Sequence, residues 1–185
     1  MWEPGSWRTL TNLVGATGSG VAFSRDSRLL ATGGGYIPTV RLWEVGTWEL
    51  LKSLTGHNKG ISSLMFTPDS HTLVTGGGDS TIRIWDVASE QTPVILKGHV
   101  GGVRAMAITP DGKTLASSDM SGAIKLWNLA TGKELFTLVG SDASVLSLAF
   151  SPDGMTLASG SSDTTVRLRR ASPVPERQAG TSPKK

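Results

Sequence analysis

Three side chains of the sequence have the types that nucleophilic catalysis requires. They are the imidazole of His57, the hydroxyl of Thr75 and the carboxylate of Asp79. In a nucleophile triad the imidazole takes the hydroxyl proton, and the carboxylate orients the imidazole. A catalytic set would need one intact copy with a distinctive additional residue beside it, and the sequence offers none. We therefore expect no catalytic residues and no enzymatic activity.

Metal and cofactor chemistry finds little support in the sequence. The chain has no cysteine, so thiolate metal sites and disulfides are excluded. His71 has no histidine or acid at metal-ligand spacing, and we interpret it as a surface turn residue. The glycine runs 33–35 and 76–78 lack the lysine of a phosphate-binding loop, and we expect them in turns that need positive φ. The sequence predicts neither metal nor cofactor.

A repeat of 42 residues organises the chain. Trp43, Trp85 and Trp127 are spaced by 42 residues, and Arg169 stands at the next such position. Around these positions lies one recurring phrase: VRLWE, IRIWD, IKLWN and VRLRR. Self-similarity at a fixed period is typical of repeat architectures.

Each repeat reads as short strands joined by tight turns. The turns are 24–27, 67–70, 109–112 and 151–154, with aspartate at the third position of each. They separate segments in which apolar and polar residues alternate, which indicates antiparallel strands. A four-stranded sheet of this size cannot bury both of its faces alone, so we expect the sheets to stack radially in an all-β propeller.

The pairs Gly56-His57 and Gly98-His99, followed by Trp85-Asp86 and Trp127-Asn128, resemble the signature of WD40-repeat propellers, including those of bacterial WD40-repeat proteins. The resemblance covers about residues 2–170. It implies that a hydrogen-bonded chain from Trp through Ser or Thr and His to Asp ties each sheet together. By this resemblance, the structural network comprises His57, Thr75, Asp79, Trp85, His99, Ser117, Trp127, Ser159, Asp163, Thr32 and Trp43.

Only the second repeat carries the complete set at the expected positions. The third has Ser121 where Asp is expected, and the fourth has Ser141 for His and Arg169 for Trp. The first has Ala16 at the His position and an insertion, 36–38, before its third strand. A structural network tolerates such losses more readily than a catalytic one does.

The resemblance also implies that partners dock on the rim of the central channel. The repeats differ from one another at the rim positions, whereas their framework residues recur. Tyr36 is an additional candidate, as a lone aromatic residue on the inserted loop. The predicted partner-binding face comprises Lys59, Ser62, Gly78, Arg104, Met120, Leu146, Ser162 and Tyr36.

The expected domain organisation is one propeller domain over residues 1–170 and a disordered basic tail over 171–185. Repeats are expected at about 15–56, 57–98, 99–140 and 141–170, with 2–14 forming the last strand of a preceding or shared blade. Three blades are then complete, and one is shared between the termini. We also expect Trp2 to fill the space of the indole absent at Arg169. A closed four-blade ring, a ring completed by a second chain, and a piece of a longer propeller all stay open.

The predicted function is a non-catalytic scaffold that binds other proteins or peptides on the propeller face. One alternative is a hydrolase in the channel, and another is nucleic-acid contact through the tail. The net charge of +3 is concentrated in residues 169–185, which carry +4, so the body lacks the basic stripe of a nucleic-acid binder. No segment has the length of a membrane span or the layout of a signal peptide, so the expected location is cytoplasmic.

Overall fold

The computed structural model describes residue 9 and residues 11–13, 20–138 and 143–171. These residues form fifteen strands in four antiparallel sheets, with no helix among them. The predicted all-β architecture of four-stranded blades is therefore confirmed. The fourth sheet has three strands within the described residues.

The four sheets follow one another along the chain. The first contains β1 (Gly20–Phe23), β2 (Leu29–Gly34), β3 (Ile37–Glu44) and β4 (Leu50–Thr55). The second contains β5 (Ile61–Phe66), β6 (Thr72–Gly77), β7 (Thr81–Asp86) and β8 (Val94–Lys97). The third contains β9 (Val103–Ile108), β10 (Thr114–Asp119), β11 (Ile124–Asn128) and β12 (Lys133–Leu138). The fourth contains β13 (Val145–Phe150), β14 (Thr156–Ser161) and β15 (Val166–Arg170).

The turn between the first two strands of each sheet is built by the same side chains. In the second sheet the N–H of Ser70 donates to the carbonyl of Thr67, and the Thr67 hydroxyl donates to Asp69 at 2.6 Å. Asp69 in turn accepts the N–H of His71 at 3.0 Å. Aspartate that bonds the backbone two residues ahead is a known turn former. The recurring aspartates of the sequence therefore fix the hairpins in register.

Apolar side chains fill the spaces between successive sheets. Val40 and Leu42 of the first sheet pack with Leu64 and Trp85 of the second. Ile82 and Leu96 pack in the same way with Met106 and Trp127, and Ile124 packs with Val145 and Leu157. The second and third sheets thus each bury one face against the preceding sheet and the other against the following one, as in a propeller.

Two local expectations need correction. Gly76 and Gly77 lie inside β6, and no residue of 76–78 has positive φ. A Cβ on Gly76 would come within 2.6 Å of Val103, so this glycine permits close contact between sheets. The insertion 36–38 was expected to form a loop, but Ile37 and Pro38 lengthen β3 because they continue its antiparallel pairing.

The predicted N-terminal strand and Trp2 lie largely outside the described residues. Of the segment 2–14, only residue 9 and residues 11–13 are described, and none of these lies in a strand. The shared blade and the packing role of Trp2 therefore stay predictions. No helix of the described part has the length and apolar character needed to cross a membrane.

Candidate functional site

The second sheet contains a continuous chain of buried hydrogen bonds. The Trp85 indole N–H donates to the Thr75 hydroxyl oxygen at 2.9 Å, and that hydroxyl lies 2.9 Å from His57 Nε2. His57 Nδ1 lies 3.0 Å from both carboxylate oxygens of Asp79. Thr75 lies in β6 and Trp85 in β7, while His57 and Asp79 lie in the loops that precede β5 and β7. The hydrogen-bonded chain therefore joins the two middle strands of the sheet to the loop that leads into its inner strand.

The hydrogen-bond partners define the protonation of the imidazole. An indole N–H only donates, so Thr75 accepts from Trp85 and donates its own proton to His57 Nε2. His57 Nδ1 must then carry the proton that Asp79 accepts. Burial lowers the pKa of His57, against the opposing effect of Asp79. The imidazole is therefore neutral, and its contact with Asp79 is a hydrogen bond to a carboxylate.

The third sheet repeats this arrangement with its carboxylate in a different place. Trp127 donates to Ser117 at 2.7 Å, Ser117 contacts His99 Nε2 at 2.7 Å, and His99 Nδ1 lies 3.0 Å from Asp119. The expectation that the third repeat lacks the carboxylate, having Ser121 at its position, is wrong. Asp119 lies two residues earlier and still reaches the imidazole.

The hydrogen bonds of Asp119 explain why the displaced carboxylate works. Ser121 donates its hydroxyl to Asp119 at 2.6 Å and its N–H at 2.9 Å. Burial alone would raise the pKa of Asp119, but hydrogen bonds from Ser121 and His99 lower it overall. The serine at the expected aspartate position therefore supports the carboxylate instead of replacing it.

The second sheet needs a glycine where the third has Asp119. Gly77 occupies that position, and a Cβ there would lie 2.4 Å from His57 Nδ1 and 2.6 Å from Asp79 Oδ1. Those distances are shorter than any normal contact. Because the His57 ring and Asp79 together fill this space, no side chain fits at the earlier position while both groups stay where they are. The two sheets thus reach one contact by two alternative routes.

The first and fourth sheets keep only parts of the chain. Trp43 donates to Thr32 at 2.9 Å, while the predicted counterpart of the histidine, Ala16, lies outside the described residues. In the fourth sheet Arg169 Nη1 donates to Ser159 at 2.9 Å, at the place where the other sheets have an indole. Its Asp163 pairs with Arg167 at 2.9 Å. Ser141, the predicted substitute for histidine, lies outside the described residues.

These geometries do not suit a nucleophile. Thr75 and Ser117 are completely buried, and each hydroxyl is held between an indole and an imidazole. A hydroxyl that attacks a substrate must be reachable from solvent, and its base must be free to take the proton. Within the described ranges, no cluster of three or more His, Asp or Glu side chains could hold a metal ion.

A separate cavity opens at the end of the inner strands β5, β9 and β13, beside the turn between β2 and β3. It has a volume of about 610 Å³. Six of the eight residues predicted for the partner-binding face line it: Tyr36, Ser62, Gly78, Arg104, Met120 and Leu146. We call this space the loop-face cavity. Lys59 is exposed beside Gly78 without lining the cavity, and Ser162 is exposed outside it.

Five further residues line the loop-face cavity that the sequence reasoning did not select: Gly35, Gly60, Ile61, Gly102 and Val103. Gly60 and Gly102 are 42 residues apart, so their recurrence was the available signal. A Cβ on Gly60 would lie 1.7 Å from the Gly35 carbonyl oxygen. These glycines let loops of neighbouring sheets approach each other at the rim.

The described lining of the cavity combines apolar side chains with one positive charge. Tyr36, Met120 and Leu146 are exposed, and Tyr36 is fully so. Arg104 is exposed as well, and no carboxylate lies among the described lining residues. Ser62 differs from the others, because its hydroxyl donates to the carbonyls of Gly76 and Val103 and so joins the second sheet to the third. Its side chain is therefore partly structural.

Four radially packed antiparallel sheets, tied internally by buried hydrogen bonds and open at one rim, define a β-propeller repeat protein. The family described as WD domain, G-beta repeat matches residues 48–86, 90–128 and 132–169, and the chain belongs to this family. Each matched repeat spans the fourth strand of one sheet and the first three strands of the next. Repeats of this family are generally non-enzymatic and serve as scaffolds for protein interaction.

A curated relative gives the same classification. The chain is 38% identical over 66 residues to an uncharacterised WD repeat-containing protein of Synechocystis sp. (strain ATCC 27184 / PCC 6803 / Kazusa). This match covers 35% of the chain and 19% of the relative, so the chain spans about a fifth of that protein's length.

Proposed function

We propose that this protein is a non-catalytic scaffold that binds a partner protein or peptide in the loop-face cavity. The observation that carries the proposal is that residues from all four sheets line one open cavity: the β2–β3 turn of the first sheet and the inner strands of the other three, with their adjoining loops. A binding site built from several repeats can vary in each repeat without disturbing the framework. In this proposal residues 1–170 act as one repeat domain, and the cytoplasmic location stays a prediction.

The side chains of the cavity favour a particular partner chemistry. Tyr36 and Arg104 are of the types that dominate protein interfaces, and Met120 adapts its shape to apolar groups. Since the described lining residues include an arginine and no carboxylate, an acidic side chain of the partner would complement them. The proposed ligand is an extended segment with apolar residues around one Asp or Glu.

Catalysis is not part of the proposal. The hydroxyl and imidazole groups that could suggest a triad are buried away from the cavity, in the interior of the second and third sheets. The alternative of nucleic-acid contact rests on the segment 171–185, of which only residue 171 is described. No observation on the described residues favours either alternative.

Selection from a displayed library of random twelve-residue peptides tests the proposal. Peptides that bind the 185-residue chain should share apolar residues around an acidic one. Arg104→Glu should weaken their binding by at least about tenfold, which corresponds to about 1.4 kcal/mol. Tyr36→Ala should weaken it by a similar factor. Binding is measured by fluorescence anisotropy with labelled peptides.

Phe136→Ser is the matched control, because Phe136 is a large exposed apolar residue on the outer strand β12, away from the cavity. It should leave peptide affinity unchanged. Peptides that bind Arg104→Glu as well as the original chain, or that lose binding in Phe136→Ser, would show that the cavity is not the binding site.

A further inference from the structure

The first and the fourth sheet each expose an apolar face that is buried in the second and third sheets. Val21 of β1 is 70% exposed, whereas the equivalent residues Leu64 and Met106 are 8% and 5% exposed. Phe23, next on the same face, is also exposed. Both residues lie on the side of the first sheet that points away from the second, since Ala22 between them packs against the core that the two sheets share.

In the fourth sheet the exposed apolar residues lie on the opposite face, which in the other sheets packs against the following sheet. Val166 of β15 is 73% exposed, while its counterparts Val40, Ile82 and Ile124 are completely buried. Leu168, on the same face, is exposed too, although its counterpart Leu42 is buried. Isolated exposed apolar residues are ordinary, but two on one strand, at positions that are core elsewhere, mark an unpartnered face.

The junctions between successive sheets show which surface covers each of these two faces elsewhere in the molecule. Between the first and second sheets, Val40 and Leu42 pack against Leu64. Between the second and third, Ile82 packs with Met106. A face of the Val166 kind therefore packs on a face of the Val21 kind at these junctions. The two exposed faces are opposite members of that pair.

The described part of one chain does not bring its own two faces together. Among the described residues, substantial packing between strands joins each sheet to the next along the chain, and none joins the first sheet to the fourth. The partner whose chemistry and shape match each exposed face is therefore the opposite face of another copy.

We propose that the protein associates head to tail: the face of Val166 and Leu168 on one copy packs against the face of Val21 and Phe23 on a second copy. The contact repeats the packing between successive sheets. Such an interface is heterologous, so each added copy presents the same pair of faces until the assembly closes. This surface is distinct from the loop-face cavity, and its failure would leave the proposed function intact.

The experiment uses one charged substitution at each end of the 185-residue chain. Val21→Glu blocks the first face, and Val166→Glu blocks the other. Mass is measured by light scattering after size exclusion, over a hundredfold range of concentration. The original chain should exceed the 19.4 kDa of one copy, and each variant alone should associate at least about tenfold more weakly.

Mixing the two variants gives the decisive result. The Val21→Glu chain keeps an intact Val166 face, and the Val166→Glu chain keeps an intact Val21 face. A mixture should form a two-copy complex and stop there, although each variant alone is monomeric. Val94→Glu, on the outer strand β8, is the control and should associate like the original chain.

Three results would overturn the proposal. The first is a monomeric original chain at every concentration, which would also be seen if the chain's own segments cover these faces. The second is a Val21→Glu variant that forms dimers as readily as the original chain, since that requires an interface without the Val21 face. The third is a mixture of the variants that stays monomeric. Urea unfolding of each variant verifies that it is folded, which is expected because both positions are exposed.

Discussion

The second and third sheets differ from the fourth at the position that the repeat reserves for tryptophan. In the inner pair, Trp85 and Trp127 fill the space against the preceding sheet, and each is tied to a buried hydroxyl. In the fourth sheet Arg169 makes the same hydrogen bond to Ser159. Beside it lies an apolar-lined cavity of about 140 Å³.

The difference teaches that the hydrogen bond and the packing are separable. An arginine can donate to the serine as an indole does, but its guanidinium cannot fill apolar space between sheets. Leu126, Leu138 and Leu157 therefore line a cavity that no described side chain fills. The histidine and carboxylate that orient the hydroxyl matter most where an indole depends on it.

The largest effect is expected from removing an indole. Trp127→Ala should destabilise the protein by about 3–5 kcal/mol, because it empties a large apolar site and leaves Ser117 with one partner fewer. Arg169→Ala should cost less than about 1 kcal/mol, because that site is already underpacked. Urea unfolding followed by circular dichroism measures both. Equal losses would show that the fourth sheet packs as tightly as the third.

The two carboxylate positions can be exchanged by design. Asp79→Ser should cost about 2–3 kcal/mol, because it leaves the buried Nδ1–H of His57 without an acceptor. Adding Gly77→Asp to that variant should restore at least half of the loss, since it recreates the Asp119 and Ser121 arrangement of the third sheet.

Gly77→Asp alone is the control for this exchange. It should be destabilising, because its side chain would collide with His57 and Asp79. A double-mutant cycle on urea unfolding gives the coupling. Additive losses would mean that the second sheet cannot use the alternative route.

Acidic pH should weaken the second and third sheets first. Burial lowers the pKa of His57 and of His99 in the folded protein. The unfolded chain then binds protons more readily than the folded one as pH falls below the ordinary histidine pKa of about 6.5. Stability should therefore be highest above that pH and decline below it.

The aspartates add a second step at lower pH. Burial alone would raise the pKa of Asp79, but hydrogen bonds from Thr81, Asn58 and His57 lower it overall. Its stabilisation is present above the ordinary aspartate pKa of about 3.9 and is lost as pH falls below it. Urea midpoints between pH 8 and pH 3 measure both steps. The double variant His57→Gln and His99→Gln should lose the upper step, and an unchanged upper step would refute this assignment.

The smallest effect is a gain. Arg169→Trp should stabilise the protein by about 1–2 kcal/mol, since an indole would fill the apolar cavity and donate to Ser159 as Trp127 does to Ser117. Lys97→Trp is the matched control, because Lys97 is an exposed cationic residue of strand β8 that does not line this cavity, and it should give no gain. No stabilisation by Arg169→Trp would mean that the cavity is closed to an indole or already occupied by another part of the chain.

Much of the fold could be predicted from the sequence, because the same pattern of strands and turns recurs in four repeats. The 42-residue period, the turn aspartates and the alternating segments predict the strands, and the strand bounds agree with them. The carboxylate of the third sheet could not be predicted by alignment. A carboxylate can reach the His99 imidazole from either of two backbone positions, 119 or 121. Aligning the repeats does not show which of these positions carries it.

The residues at the rim of the cavity were likewise predictable only in part. The period predicts which residues lie at equivalent places, and six of the eight chosen ones line one cavity. Their shared environment depends on how closely loops of neighbouring sheets approach, as Gly60 and Gly35 do. Contacts between repeats are set by packing across the sheets, which the order of residues within one repeat does not encode.

The sequence by itself determined the strands, the turns, the recurring indoles and the class of protein, because each follows from local pattern repeated at a constant period. Only the tertiary structure decided that Asp119 completes the third network, that an apolar cavity lies beside Arg169, and that Val21 and Val166 lie on exposed faces. Those outcomes depend on distances between segments far apart in the chain. Side chains from different sheets meet at these places, and the local sequence pattern does not specify the distances between them.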